Sequence, residues 1–329
     1  MTEFTLGNYR LAVDVEATRA YYTAHHESWI TCQCAGCRNF AQAVRKLPQA
    51  VGDFFETLVL DPEKAGELCY YNGTEHTIIG DGWAALSTDG SQGYVKLEAN
   101  NCKVQTILSG YGAYADGMCH DFFNNCDFDV ADQAGIMAGE CDMTFNDCTA
   151  VCGSYFAHIH CVMGMPAEVG TLKVKDCVIN TGKDAVSIRS QNAIVDIERS
   201  DIIADNGVLV HSIVNTDPNA TKTGGKRVYG IHVYLRDSEL EGAILHEDPD
   251  REMNVYLEKA SLVGAIQGAI LHFDGESTWT ATNASHVTIV GEVDMEQIDA
   301  PGGVTITADC DQEGTYTLAS GGTLVLKKA

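Results

Sequence analysis

The sequence predicts a mainly β protein. A right-handed parallel β-helix runs from about residue 95 to the C-terminus, preceded by a small α/β, cysteine-rich domain that caps it. Three observations carry this. The hydrophobic pattern changes near residue 95 from helical spacing to short Val/Ile/Leu runs separated by Asn, Asp and Gly. A small residue then recurs at a nearly constant interval. Upstream of the change, a Cys-x-Cys-x-x-Cys turn stands apart from the repeat.

Residues 1–72 form the first segment. Val13–Tyr22 reads as a short helix capped by Asp14, and Trp29–Thr31 as a short strand. Cys32, Cys34 and Cys37 follow on a turn. Phe40, Val44, Leu47, Val51, Phe54, Phe55 and Leu58 then keep helical spacing, which Pro48 divides in two. Residues 73–94 are a connecting segment or the first coil, and 95–329 are the β-helix.

The repeat is visible when Asn-Asn-Cys102, Asn-Asn-Cys126, Asn-Asp-Cys148, Lys-Asp-Cys177, Arg-Ser200, Asp-Ser238, Lys-Ala260 and Ala-Ser285 are aligned. The steps are 24, 22, 29, 23, 38, 22 and 25 residues. Phe123, Phe145, Val174, Ile197, Leu235 and Leu257 fall three residues before the small residue. Val104, Phe128, Ile179, Ile202, Leu240, Leu262 and Val287 fall two after it. One coil of a β-helix requires such a period, because each coil sets a position above its counterpart at ~4.8 Å. The small residues then form an inward column at a tight corner. The longest insertion, 213–229, is a loop of the kind that carries function.

These repeats resemble the pectin-lyase-like right-handed β-helix superfamily. That superfamily includes polysaccharide lyases, glycoside hydrolases, epimerases and many bacterial proteins of unassigned role. Thr181-Gly-Lys-Asp184-Ala-Val-Ser-Ile-Arg-Ser190 resembles the aspartate-bearing segment of polygalacturonase-type hydrolases. Lys183 stands where that pattern has the first of two aspartates, and the accompanying motifs are not in order, so that activity is not carried over. Residues 6–72 resemble a small bacterial domain with a Cys-x-Cys-x-x-Cys-Arg-Asn-Phe/Tyr core and no assigned function.

Composition narrows the partners. The 329 residues carry a net charge of −25, from 21 basic against 46 acidic side chains. Nucleic acid and anionic membranes need basic surfaces, so neither is expected as a partner. A neutral sugar or other small molecule, a cation, a basic partner or a second copy of the chain remains open. The N-terminus has no signal-peptide pattern, and no run reaches the ~18 apolar residues of a membrane span, so a cytoplasmic protein is expected. In that compartment 13 cysteines, an odd number, read as buried thiols or metal ligands before disulfides.

Three constellations could carry chemistry. Cys32, Cys34 and Cys37 could close on zinc, with Cys69 as the fourth ligand and His25 or His26 behind it. The same thiols could be redox-active or simply packed. The second constellation is a polar stripe. Counting from each corner, successive coils end a strand with Arg189, His211, His246 and His272. His158 and His160 share a face, with Asp184, Asp217, Glu247 and Asp248 as acidic company. Imidazoles beside carboxylates suit general acid–base work, a metal or a bound sugar; they also follow from the repeat alone. The third is the acidic loop His246–Glu252, which could bind Ca²⁺ or be a solvated turn.

Two functions are therefore expected as alternatives. One is a β-helix that binds, or also processes, a carbohydrate-like ligand on the His211/His246/His272 face. The catalytic candidates are then His211, His246, His272, Arg189 and Asp184, and His158, His160, Asp217, Glu247 and Asp248 contact the ligand. The other is a non-catalytic scaffold or assembly module with a structural zinc in the N-terminal domain.

Overall fold

The computed structural model describes residues 2–6, 9–24, 44–58, 76–80, 83–161, 169–216 and 230–328. The chain divides into two compact units, 1–70 and 71–329. The zinc candidates Cys32, Cys34, Cys37 and Cys69, the strand candidate Trp29–Thr31, and Asp217 with most of its loop lie outside the described residues.

In the first unit, strands Thr2–Leu6 and Tyr9–Val13 pair antiparallel. Helix Val15–Ala24 follows at once. Asp14 caps it, its Oδ1 accepting from the Ala17 amide at 3.0 Å. A short 3₁₀ turn, Val44–Lys46, precedes Pro48, and helix Gln49–Leu58 begins after it. Proline suits that place, where an amide would be unsatisfied anyway.

The second unit is built from long, mostly parallel sheets. Each passage of the chain contributes three short strands. Asp127–Val130, Gly135–Ala138 and Cys141–Asn146 belong to one passage; Thr149–Cys152, Ala157–His160 and Val169–Lys175 belong to the next. Each strand pairs in parallel with its counterpart one passage on. Strands Ala84–Asn100 and Tyr111–Asn124 already run this way, so the stack begins before residue 95. An antiparallel hairpin of Gly314–Thr317 with Thr323–Lys328 ends it.

The corner explains the sequence repeat. Asn101, Asn125, Asp147, Asp176, Arg199, Asp237 and Lys259 all hold positive φ, between 44° and 55°. Asn and Asp tolerate that left-handed turn better than other side chains, which is why they crowd this position. The next residue points inward. Cys126, Cys148, Cys177, Ser200, Ser238 and Ala260 are buried there in a column. The column is hydrogen-bonded from Cys126 to Ser238. The amides of Cys126 and Cys148 donate to the next Sγ at 3.5 and 3.4 Å, and those of Cys177 and Ser200 to the next Oγ at 3.1 and 3.4 Å.

The column ends on Ser277, not on Ser285. The Ala260 amide donates to Ser277 Oγ at 3.0 Å, and Thr278 pairs with Ser261. Ser285 instead accepts from Ile266 on another sheet. This passage is shorter than the others, so a search at constant spacing overshoots it. Trp279, fully buried, therefore takes the inward place expected for Val287. Phe123, Phe145, Val174, Ile197, Leu235 and Leu257, on the strands that lead into the corner, stack in register.

Among the described residues no helix is long and apolar enough to cross a membrane.

Candidate acid–base face

The candidate site lies on the middle strand of successive passages. In Ala157–His160, Val186–Arg189 and Val208–Ile213, apolar residues alternate inward and leave His158, His160, Ser187, Arg189 and His211 on the outer side. Ser187 sits between His158 and His211 in register, and His160 is beside Arg189.

Asp184 and His211 form the centre. His211 Nδ1 donates to Asp184 Oδ2 at 3.0 Å, and the Asn206 amide donates to the other carboxylate oxygen. Burial disfavours the Asp184 carboxylate, but the His211 and Asn206 hydrogen bonds outweigh it and hold the carboxyl below its usual range. The bond to Asp184 raises His211 above the ordinary imidazole value, against burial. His211 Nε2 is buried and makes no hydrogen bond; Glu247, largely exposed, stands 3.8 Å away. A fixed Nδ1 partner with an Nε2 that makes no hydrogen bond is an arrangement from which histidine can transfer a proton.

His158 and His160 continue this face. Their rings stack at 5.1 Å, and Tyr155 stacks on His158 at 5.7 Å. Burial, with His160 and Arg189 nearby, pushes His158 down to about 3, so it is neutral near pH 7. Arg189 reaches the Tyr155 hydroxyl at 3.5 Å, and Lys183 lies over the Tyr155 ring at 5.5 Å. Among the described residues no carboxylate pairs with Arg189 or Lys183.

The expected single stripe of Arg189, His211, His246 and His272 is not formed. A bulge between Val208 and Val210 shifts the pairing, so His211 aligns with Ser187 and His246 aligns with Ser212. Ser212 faces the core, and a one-residue slip puts His246 on the other side of the pleat from His211. There His246 Nε2 donates to the Arg251 carbonyl at 2.9 Å. Beyond a second irregularity, between Gln267 and Ala269, His272 pairs instead with Tyr256. Gly268 sits in that bulge with φ +74°, where an added Cβ would lie 2.7 Å from the His246 carbonyl oxygen. His272 stacks on Tyr256 at 4.3 Å and bonds Asn254 at 2.9 Å.

Asp248 also leaves the list of ligand contacts. It is buried in an ion pair with Arg251 at 2.6 Å, and its other oxygen accepts from the Asp250 amide at 3.1 Å. The loop's conformation uses that carboxylate up, which removes it from the calcium reading. Among the described residues no group of three or more His, Cys, Asp or Glu side chains is arranged to hold a metal ion.

The face thus gathers Asp184, His211, Glu247, His158, His160 and Arg189 from the expected residues. It adds Tyr155, Asn206, Ser187 and Lys183. Asn206 had no signal in the sequence, because its partnership with Asp184 crosses from one passage to the next. Tyr155 could have been found from its place two residues before the inward Ala157, the place Asp184 holds before Val186.

Comparison of the chain with protein families, curated proteins and solved structures finds no match.

Proposed function

We propose that this protein binds a carbohydrate-like ligand on the outer face around His211, and that His211 moves a proton on it. The observation that carries the reading is the Asp184–His211 pair with its buried Nε2, which makes no hydrogen bond. Asp184 orients the ring and stabilises its charged form, so His211 can donate from Nε2 and recover the proton later. Glu247 is the nearest second carboxylate, and Arg189 and Lys183 supply positive charge uncommitted to any described acid. The in-register parallel strands, three to a passage, support a right-handed β-helix of the pectin-lyase-like kind. The nine described cysteines are free thiols, in keeping with a reducing, cytoplasmic setting.

The test is a screen of polysaccharides and oligosaccharides for binding and for new reducing or unsaturated ends, run on the wild type and on His211→Ala. Removing a general acid–base group lowers turnover by about 10²–10⁴-fold. A loss of that size, with binding and folding retained, is expected. Equal turnover by the two proteins, or no saccharide bound by either, overturns the proposal.

A further inference from the structure

Trp83 is 54% exposed, unusual for so large an apolar side chain, and it is not alone. Its ring centroid lies 5.6 Å from those of both Tyr111 and Tyr114. Tyr114 is half-buried, and burial raises its hydroxyl to about 12, so the ring stays neutral. These aromatics belong to the first passages of the stack, where the acid–base face has no charged group of its own beyond Asp89 and Asp116.

Register connects them to that face. Tyr114 pairs with Ile136, Ile136 with His158, His158 with Ser187, and Ser187 with His211. One outward row therefore runs from Tyr114 to His211. Four strand spacings of ~4.8 Å make it ~19 Å long, and Trp83 extends it further. The passage between them offers Gln133, Ile136 and Ala138, all uncharged. Ile136 and Ser187 are both buried although they face outward, so the surface of the row at those two positions is made by their neighbours.

We infer that Trp83, Tyr111 and Tyr114 form a distal subsite for a linear oligosaccharide that runs along this row to His211. The inference rests on the function proposed above and adds the ligand's length and direction. Trp and Tyr present an apolar face with a polar edge, which suits the C–H face of a sugar ring flanked by hydroxyls. The spacing requires several linked units, because no single ring spans ~19 Å. A nucleic acid would use the same stacking, but a chain of net charge −25 repels it.

The experiment uses the full chain and linear β-1,4-linked glucose, xylose, N-acetylglucosamine and uronic acid series, from dimers to octamers. Affinity is followed by calorimetry, and Trp83 by acrylamide quenching in a Trp29→Phe background; Trp279 is buried and contributes little to it. Affinity in one series should rise with length until both ends of the row are filled, and long oligomers should protect Trp83. Trp83→Ala should weaken long oligomers about tenfold and leave short ones unchanged, with Trp83→Phe restoring most of the loss. Three results overturn the subsite. If short oligomers bind at His211 and Trp83→Ala changes no length, the subsite fails while the proposed function stands. If no series binds, both fail. If Trp83 is already shielded in the free protein, a protein surface covers the patch and no sugar docks there.

Discussion

The corner column and the acid–base face are cut from the same passages of chain, yet position is fixed very differently in the two. At the corner, a left-handed residue and an inward small residue recur from Asn101-Cys102 to Lys259-Ala260. Amide-to-side-chain bonds tie successive passages together from Cys126 to Ser238. On the face, two bulges within three passages send His211, His246 and His272 to different places. The difference teaches that backbone turns govern the corner and tolerate little change. The face is governed only by strand pairing, which can slip by a residue while still burying its apolar side. Function can settle on the face because slippage there costs the core little.

Several changes would break or sharpen this contrast. Asp121 carries the largest expected effect. It is an inward carboxylate on the last sheet of a passage, 1% exposed, held by Thr88 at 2.9 Å with its second oxygen unpartnered. Burial raises it to about 6. A raised carboxyl favours folding while protonated, so stability is lost as pH climbs from about 4 to about 6 and then levels off. Asp121→Asn should abolish that slope and raise stability near pH 7 by up to ~3 kcal/mol, measured by urea unfolding across pH. An unchanged slope would show that Asp121 is not the group responsible.

Overpacking the column comes next. Cys148→Leu should lower stability by ~1–3 kcal/mol, while Cys148→Ser keeps an acceptor for the Cys126 amide and should cost much less. Matching melting curves for Leu and wild type would contradict the corner geometry. Asp147→Val tests the left-handed turn itself, with an expected loss of ~1–2 kcal/mol; Asp147→Gly should be tolerated. The face should respond least in stability and most in titration. Asp184→Asn removes the leading cause of the raised His211 value, so the imidazole should titrate lower by NMR. In the wild type, the stabilisation from His211 is present below its unfolded value near 6.5 and disappears as pH rises through the higher folded value. Asp184→Asn should flatten that part of the profile. A His211 resonance that does not move would separate the two residues.

Particular residues show how far the sequence could be read. Cys126, Cys148 and Cys177 announced the column because a tight corner admits few side chains, and the Asn or Asp before each announced the turn. Ser285 misled because a passage shortened to 17 residues, from Ala260 to Ser277, and spacing alone cannot register a shortened loop. His158, His160, Asp184 and Arg189 were legible as a group because no bulge intervenes between their strands. His246 was misassigned because a bulge leaves the hydrophobic alternation on either side intact. Asp248 looked like a ligand because its partner Arg251 is also a surface-favouring residue, and only the loop's path buries both.

By itself the sequence determined the period, the parallel stacking, the corner chemistry and the helix capped by Asp14. Each depends on a few neighbouring residues whose backbone preferences are local. The tertiary structure alone decided which polar groups meet: Asp184 with His211 and Asn206, Asp248 with Arg251, and Trp83 with the row that leads to His211. Apart from Asp248 and Arg251, three residues apart in one loop, those meetings join residues about one or more passages apart, and a single inserted residue in a strand reverses the side on which each group emerges.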